Sequence, residues 1–226
     1  MIKHIIFDLD DTLCDYRKAT ENAKAPINKV LDAHGIDTCA FWERFDQGIR
    51  SLFRQFADRT ISIDEYRIRR FADVLAGSHA RFRELSSELN HIYMQETNHN
   101  IELFSDTIPL MKALRAKSIE AVILTNGPSD GQRAKFESLG LSRYIQQIYI
   151  GEEIGFSKPN PKAFEVVLRD LGVPAADVLM VGDSIENDID GAERVGIKAV
   201  LIDRENKHCG NVGTKIDTLS EIIELL

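Results

Sequence analysis

From residue 100 onward the chain alternates between strand-like and helix-like segments, and this alternation restricts the possible folds more than any other feature. Apolar runs with strand character, such as IEAVILTNG, DVLMVGD and IKAVLID, are separated by amphipathic segments such as DTIPLMKALRAK. Strands that are joined by helices pair in parallel, and helices cover both faces of the sheet. The pattern therefore predicts an α/β fold with a parallel sheet, which the apolar run KHIIFD near the N-terminus is expected to join.

Further elements follow from the same patterns. YIQQIYIG is predicted as a strand, and IENDIDGAERVG and the closing segment TLSEIIELL are predicted as helices. SDGQRAKFESLG is expected to be a helix that Gly140 ends. PKAFEVVLRDLG is expected to begin at Pro161 and to end at Gly172, because proline suits the first helical position and glycine the position after the last.

The segment before residue 100 has a helical pattern throughout and predicts about four helices. In SIDEYRIRRFADVLAG, Asp64 or Ser62 is the expected N-cap and Gly77 the expected stop. FWERFDQGIRSLFRQF has apolar residues three or four positions apart, as in an amphipathic helix. Its aromatic residues are expected to form the core of this segment rather than a platform for base stacking: Phe41, Phe45, Phe53 and Phe56.

Charge separates the same two parts of the chain. Residues 15–99 hold 13 Lys and Arg and 13 Asp and Glu, so the remaining residues carry the whole net charge of −8. We therefore predict two domains, a sheet domain of residues 1–15 and 100–226 and a helical domain of residues 16–99.

Polar side chains follow the predicted strands at one end of the sheet. In open α/β sheets, ligands bind outside the carboxyl ends of the strands. The residues expected there are Asp8 and Asp10, Thr125-Asn126-Gly127, Ser157-Lys158-Pro159 and Gly182-Asp183-Ser184. Their convergence predicts a functional site at this edge.

The charges at this edge indicate a metal and a phosphoryl group. The carboxylates of Asp8, Asp10, Asp183 and Asp188 would meet there and repel one another. A hard divalent cation removes the repulsion, and oxygen ligands suit Mg²⁺. Lys158 adds positive charge, and with a hydroxyl and backbone N–H groups these residues form a receptor for a phosphoryl group.

Asp8 and Asp10 are two residues apart, so in extended geometry they project to the same side. One carboxylate can attack phosphorus while the other protonates the leaving alkoxide and then deprotonates the hydrolytic water. The pair predicts phosphoryl transfer through an aspartyl-phosphate.

Four motifs, FDLDDTL, LTNG, SKPNPKAF and VGDSIENDIDGA, resemble in this order those of the haloacid dehalogenase superfamily. The resemblance implies a Rossmann-like, three-layer core with a parallel sheet and an inserted all-helical cap of the C1 type, which governs substrate specificity. It also implies Mg²⁺ as cofactor. Asp10 favours phosphoryl chemistry over dehalogenation, which needs no acid two residues after the nucleophile.

The resemblance assigns roles residue by residue. Asp8 matches the nucleophile and a metal ligand, and Asp10 matches the general acid/base, which also offers its backbone carbonyl to Mg²⁺. Thr125, helped by the Asn126 backbone, would hydrogen-bond the transferring phosphoryl group, and Lys158 would bridge that group and Asp8. The remaining metal ligands would be Asp183 and Asp188, in a loop that Ser184 and Asn187 orient.

Several residues also have simpler interpretations. Thr125 and Ser184 could be helix N-caps, and Lys158 a solvated loop lysine. Asp190 is interpreted as an exposed helix charge, and Asp11, where many relatives have glycine, as a bystander in catalysis.

Three further side chains are candidates for contact with substrate. These are Arg50, Arg54 and Tyr16, although a solvated arginine face is the favoured interpretation for the first two.

The predicted function is that of a phosphomonoester hydrolase acting on a small phosphorylated metabolite. Within the superfamily, DLDDTL, TNG and GEEIGFSKP look most similar to nucleotidase-like members that act on pyrimidine nucleoside monophosphates. A sugar-phosphate or phosphoglycolate phosphatase and a phosphomutase remain alternatives. A phosphoryl-accepting signalling domain and a binding protein without catalysis are less favoured, because receiver domains are shorter and every catalytic position is filled.

Composition restricts partners and location. The net charge of −8 disfavours nucleic-acid binding. No run of about 18 apolar residues predicts a membrane helix, and no signal peptide is recognised, so a cytoplasmic protein is expected, as monomer or homodimer. The three cysteines, Cys14, Cys39 and Cys209, form no CxxC pair. Cys14 lies near the acidic motif but is interpreted as a small buried residue rather than a reactive thiol.

Overall fold

The computed structural model describes residues 2–75, 82–208 and 213–226. Its strands are β1 (His4–Phe7), β2 (Glu120–Thr125), β3 (Ile148–Ile150), β4 (Val178–Gly182), β5 (Lys198–Ile202) and β6 (Thr214–Ile216). Its α-helices are α1 (Tyr16–Ala33), α2 (Thr38–Ala57), α3 (Ile63–Ala72), α4 (Arg83–Asn98), α5 (Thr107–Ala116), α6 (Ser129–Ser138), α7 (Gly151–Ile154), α8 (Pro161–Leu171) and α9 (Asp190–Glu193). Gly77 and Cys209, named above, lie outside the described residues.

The six strands form one parallel sheet in the order β3-β2-β1-β4-β5-β6. This confirms the predicted α/β fold. In the centre, His4 of β1 pairs with Glu120 of β2 on one side and with Val178 of β4 on the other. The strands of this centre are almost wholly buried, which explains why they read as continuous apolar runs rather than as alternating patterns. Since all strands run the same way, their carboxyl ends lie along one edge.

The chain divides into two compact units, one of residues Met1–Tyr16 and Glu102–Leu226 and the other of residues Arg17–Ile101. The first unit contains the sheet and α5–α9. Helix α8 begins at Pro161 and is followed by Gly172 with a positive φ of 66°, as predicted. Its buried face packs against the sheet through Ala163, Phe164 and Val167.

The second unit is helical. Ser62, rather than Asp64, is the N-cap of α3, and its hydroxyl accepts a hydrogen bond from the N–H of Glu65 at 3.1 Å. Phe41 and Phe45 lie in the main core of the unit and Phe56 in a smaller cluster that Phe53 joins, so the aromatic residues of α2 are core residues as expected.

Some elements differ from the prediction. IENDIDGAERVG forms a π-helical turn (Ile185–Ile189) and the short α9, because side chains of the loop bind its backbone. The closing segment is a 3₁₀-helix (Leu219–Glu224), in which Glu221 accepts a hydrogen bond from the N–H of Thr218. Strand β6 and helix α7 were not predicted, since three or four residues are too few to show a period. In the described parts of the chain, every helix is too short or too polar to cross a membrane.

Candidate active site

Asp8 follows β1 directly and lies at the carboxyl edge in the middle of the sheet. Its N–H donates to the carbonyl of Val181 in β4 at 2.9 Å, which extends the strand pairing by one residue. Its side chain is almost buried. Burial, together with the carboxylates of Asp188 and Asp183, raises the pKa of Asp8 well above its usual range, although Lys158 acts in the opposite direction.

Lys158 connects two of the predicted carboxylates. Its Nζ lies 2.6 Å from Oδ1 of Asp8 and 2.6 Å from Oδ1 of Asp188. Only 4% of Lys158 is exposed, so the solvated interpretation of this lysine is wrong. Burial alone would lower the pKa of Lys158, but the carboxylates of Asp188 and Asp8 outweigh burial and raise it. The lysine is therefore a fixed positive charge between two acids.

Asp183 completes a group of three carboxylates. One oxygen from each of Asp8, Asp183 and Asp188 lies within 4.8 Å of the others. Burial, followed by the carboxylates of Asp188 and Asp11, raises the pKa of Asp183 to about 7. A single lysine does not neutralise three acids, and an all-oxygen donor set of this size suits a hard divalent cation such as Mg²⁺. The donor set and its unbalanced charge thus fit the predicted metal.

The loop after β4 holds Asp188 toward this group. Ser184 donates its N–H to Oδ2 of Asp188 at 3.0 Å, and its hydroxyl accepts from the N–H of Asn187 at 3.2 Å. Gly182 lies directly beside Asp188, since a Cβ atom there would be 2.2 Å from Oδ2. A glycine is required at this position because any side chain would displace the carboxylate.

Asn126 fixes the loop that carries Lys158. Its Nδ2 donates to the carbonyl of Lys158 at 2.7 Å, and its Oδ1 accepts from the N–H of Lys158 at 2.7 Å. The sequence prediction gave Asn126 a role through its backbone only and missed this pair of bonds. Thr125, the last residue of β2, is 2% exposed at the same edge.

The carboxylate of Asp10 does not join this group of three, which corrects the expectation that four carboxylates meet. Lys135 of α6 contacts both of its oxygens, with Nζ at 2.7 Å from Oδ1 and 2.8 Å from Oδ2, and Gln132 donates to Oδ2 at 2.9 Å. The ammonium group of Lys135 and the amide group of Gln132 thus hold the carboxylate of Asp10 beside α6. The sequence prediction missed both residues. The signal that could have indicated them is a pair of long polar side chains, three positions apart on one face of the helix that follows LTNG.

Asp11 has a positive φ of 58°, a backbone conformation in which glycine is favoured and aspartate is tolerated.

Cys14 is fully buried, and its thiol donates to the carbonyl of Leu9 at 3.3 Å. Burial, with the carboxylate of Asp10 as the next cause, raises the pKa of Cys14 well above its usual value, as expected of a buried structural residue rather than a reactive thiol.

The remaining candidates differ in their exposure and contacts. Asp190 is exposed, as expected, and Arg50 and Arg54 are exposed on α2. Tyr16 lies in the first unit, where its ring centroid is 4.1 Å from Nζ of Lys135.

Comparison with known proteins decides the family. The family model of haloacid dehalogenase-like hydrolases matches residues 2–196. The chain belongs to this family of hydrolases. It is 29% identical, over 90% of its length and 85% of the relative's, to glyceraldehyde 3-phosphate phosphatase of Methanopyrus kandleri. It is 28% identical to ribulose-1,5-bisphosphate 5-phosphatase of Halopiger xanaduensis over the whole of both chains.

A haloacid dehalogenase-like hydrolase of Bacillus subtilis with bound magnesium has the same fold. Its structure aligns with a TM-score of 0.78 and 24% identity over 100% of this chain and 98% of its own.

Proposed function

We propose that the chain is a Mg²⁺-dependent phosphomonoester hydrolase that releases inorganic phosphate from a small phosphorylated sugar through an aspartyl-phosphate intermediate. One observation carries the proposal: Lys158 binds Asp8 and Asp188, and the carboxylate of Asp183 lies within 4.8 Å of both acids. This arrangement joins a buried carboxylate nucleophile to a cation and to spare oxygen ligands, which is what phosphoryl transfer to a carboxylate needs.

The reaction has two displacements at phosphorus. An oxygen of Asp8 attacks phosphorus, the ester P–O bond breaks, and Asp10, which must enter this step protonated, gives its proton to the leaving alkoxide. Asp10, now ionised, takes a proton from water, which attacks the phosphorus of the aspartyl-phosphate and releases phosphate and the free Asp8 carboxylate. Lys158 reduces the repulsion between Asp8 and the incoming phosphoryl group, and the hydroxyl of Thr125 donates to that group.

Asp8, Asp183 and Asp188 would hold Mg²⁺, together with the backbone carbonyl of Asp10. When bound, the ion supplies positive charge that lowers the repulsion between the acids and the phosphoryl oxygens. The helical unit of residues 17–101 is proposed to govern substrate specificity.

A phosphorylated sugar is the preferred substrate class because the two relatives named above, with 29% and 28% identity, are phosphatases of phosphorylated sugars. Their names favour the sugar-phosphate alternative over the nucleoside monophosphate that the motifs suggested.

The test is phosphate release from p-nitrophenyl phosphate and from a panel of sugar phosphates, phosphoglycolate and nucleoside 5′-monophosphates, with Mg²⁺ and with a chelator. We expect Mg²⁺-dependent turnover that Asp8→Asn abolishes, while Asp190→Asn, an exposed acid of the same loop region, retains it. Unimpaired activity in Asp8→Asn would exclude the assignment. A stable phosphoprotein without turnover would support a signalling domain, and transfer of phosphate to a second sugar hydroxyl would support a mutase.

A further inference from the structure

We infer that Lys135 and Gln132 of α6 are positioning residues for the general acid/base Asp10, and that Gly127 is present to let Gln132 reach it. The inference rests on the function proposed above for Asp10. The carboxylate receives three hydrogen bonds of 2.7, 2.8 and 2.9 Å from these two side chains. A carboxylate held on both oxygens has a single orientation, whereas a free aspartate side chain samples several rotamers.

Both side chains are buried, which is unusual for their residue types. Lys135 is 3% exposed and Gln132 is 2% exposed, although both residue types are usually at the surface. Within the described part of the chain, Oε1 of Gln132 is buried and accepts no hydrogen bond, which costs free energy. The hydrogen bonds to the carboxylate of Asp10 offset part of the cost of burying these groups.

The helix that presents them is itself fixed. At its start, the N–H of Ser129 donates to Glu152 at 2.7 Å, and Arg133 binds both carboxylate oxygens of Glu153 at 2.7 and 2.6 Å. The Nζ of Lys135 also lies 4.1 Å from the centroid of the Tyr16 ring, a cation–π contact. The ammonium of Lys135 therefore contacts both the Tyr16 ring and the Asp10 carboxylate.

Gly127 gives an independent reason to assign the arrangement a purpose. A Cβ atom at Gly127 would lie 1.8 Å from Nε2 of Gln132, so any other residue displaces the amide from its place beside Asp10. The last residue of LTNG is thus tied to the second aspartate of FDLDDTL through a side chain that neither motif contains.

The test uses two leaving groups to distinguish a loss of proton transfer by Asp10 from a general loss of structure or activity. p-Nitrophenolate leaves readily without protonation, whereas the alkoxide of an alkyl phosphate needs the proton that Asp10 provides. We measure kcat/KM, which covers steps up to transfer to Asp8, for p-nitrophenyl phosphate and for glyceraldehyde 3-phosphate; any alkyl phosphate that the wild type hydrolyses better serves equally.

Lys135→Met is expected to lower kcat/KM about 30-fold for the alkyl phosphate and less than about 3-fold for the aryl phosphate, from a general acid/base contribution of about 10²–10⁴. Lys112→Met, at an exposed lysine of α5, is expected to change neither value. Added ethylamine is expected to restore part of the alkyl phosphate activity of Lys135→Ala but not of Lys112→Ala.

Gln132→Leu and Gly127→Ala are expected to show the same selective loss, and either variant carries the test if Lys135→Met does not fold. An equal loss on both substrates, or no loss, overturns the inference. Absence of Mg²⁺-dependent activity in the wild type would instead refute the proposed function and is distinguishable from either result.

Discussion

Gly182 and Asp188 are in such close contact that a Cβ atom on Gly182 would lie 2.2 Å from Oδ2 and 2.3 Å from Cγ of Asp188. The carboxylate cannot move away freely, because Lys158 binds its Oδ1 and Ser184 its Oδ2. The backbone of β4 and the acid that follows it are therefore fitted to each other.

Gly182→Ala is expected to displace Asp188 and to lower kcat for any phosphate ester at least about 100-fold, since a small displacement of a positioning group is costly in catalysis. Steady-state kinetics with Mg²⁺ measures this. Gly48→Ala is the matched control, because a Cβ at Gly48 in α2 meets no atom within 4 Å, and its activity should be unchanged. Equal activity in both variants would contradict the fitted contact.

Asp183→Asn is expected to stabilise the metal-free protein at neutral and higher pH. The pKa of Asp183 in the folded protein is raised to about 7 from its ordinary value of 3.8. Between these pH values the folded state binds a proton that the unfolded state does not. The contribution of Asp183 to the free energy of unfolding therefore falls as the pH rises from about 4 to 7. Above pH 7 the folded protein carries the full penalty of the ionised acid.

In chelator at pH 8, Asp183→Asn should therefore have a Tm about 3 °C above the wild type, a shift that corresponds to roughly 1 kcal/mol for a chain of this size. The difference should shrink toward pH 4. With Mg²⁺ at pH 8, the wild type should gain thermal stability and the variant should gain less. Differential scanning calorimetry at three pH values checks this; a variant that is less stable at pH 8 in chelator would show that the raised pKa is wrong.

Asp106→Ala is expected to destabilise the sheet unit without involving the site. Asp106 binds both terminal nitrogens of Arg204 at 2.9 and 3.0 Å and accepts from the N–H of Leu219 at 2.9 Å, at the start of the closing 3₁₀-helix. Both side chains of the ion pair are largely buried. Removal of the acid leaves the shielded guanidinium with the carbonyl of Thr12 but without its carboxylate partner, and leaves the N–H of Leu219 without its acceptor, which costs about 2–4 kcal/mol.

Urea unfolding measures this change in the free energy of unfolding. Asp170→Ala serves as control, because the side chain of Asp170 is 45% exposed and its ion pair with Arg169 is expected to contribute little. A loss below 1 kcal/mol in Asp106→Ala would mean that the ion pair is not a stabilising contact.

The fold and most of the site were predictable because both depend on short-range signals. The buried strands read as apolar runs, and Asp8 and Asp183 follow such runs directly. Parallel pairing then brings strand ends together whatever their distance in sequence. The motif SKPNPKAF predicted that Lys158 belongs to the site. The structure shows the two carboxylates that it binds, those of Asp8 and Asp188.

The surroundings of Asp10 were not predictable for the opposite reason. Gln132 and Lys135 lie on an amphipathic helix, where long polar side chains ordinarily face solvent. Their burial depends on how α6 packs beside the loop after β1, and no local pattern in SDGQRAKFESLG records that contact. The π-helical turn at Ile185–Ile189 was missed in the same way, since it depends on side-chain bonds to the backbone and not on apolar period.

The central position of β1 also affects the order in which the sheet unit can assemble. β1 leaves the ribosome before the other strands of this sheet, yet its residue His4 pairs with Glu120 and with Val178, which are synthesised much later. Asp8, the proposed nucleophile, is then at the end of a strand that lacks its partners while residues 17–101, which form a compact unit of their own, are completed. Because contacts of such long range form slowly, we expect sheet formation to be the slow step of folding and a nascent chain to complete its helical unit before the strand ends of the candidate site come together.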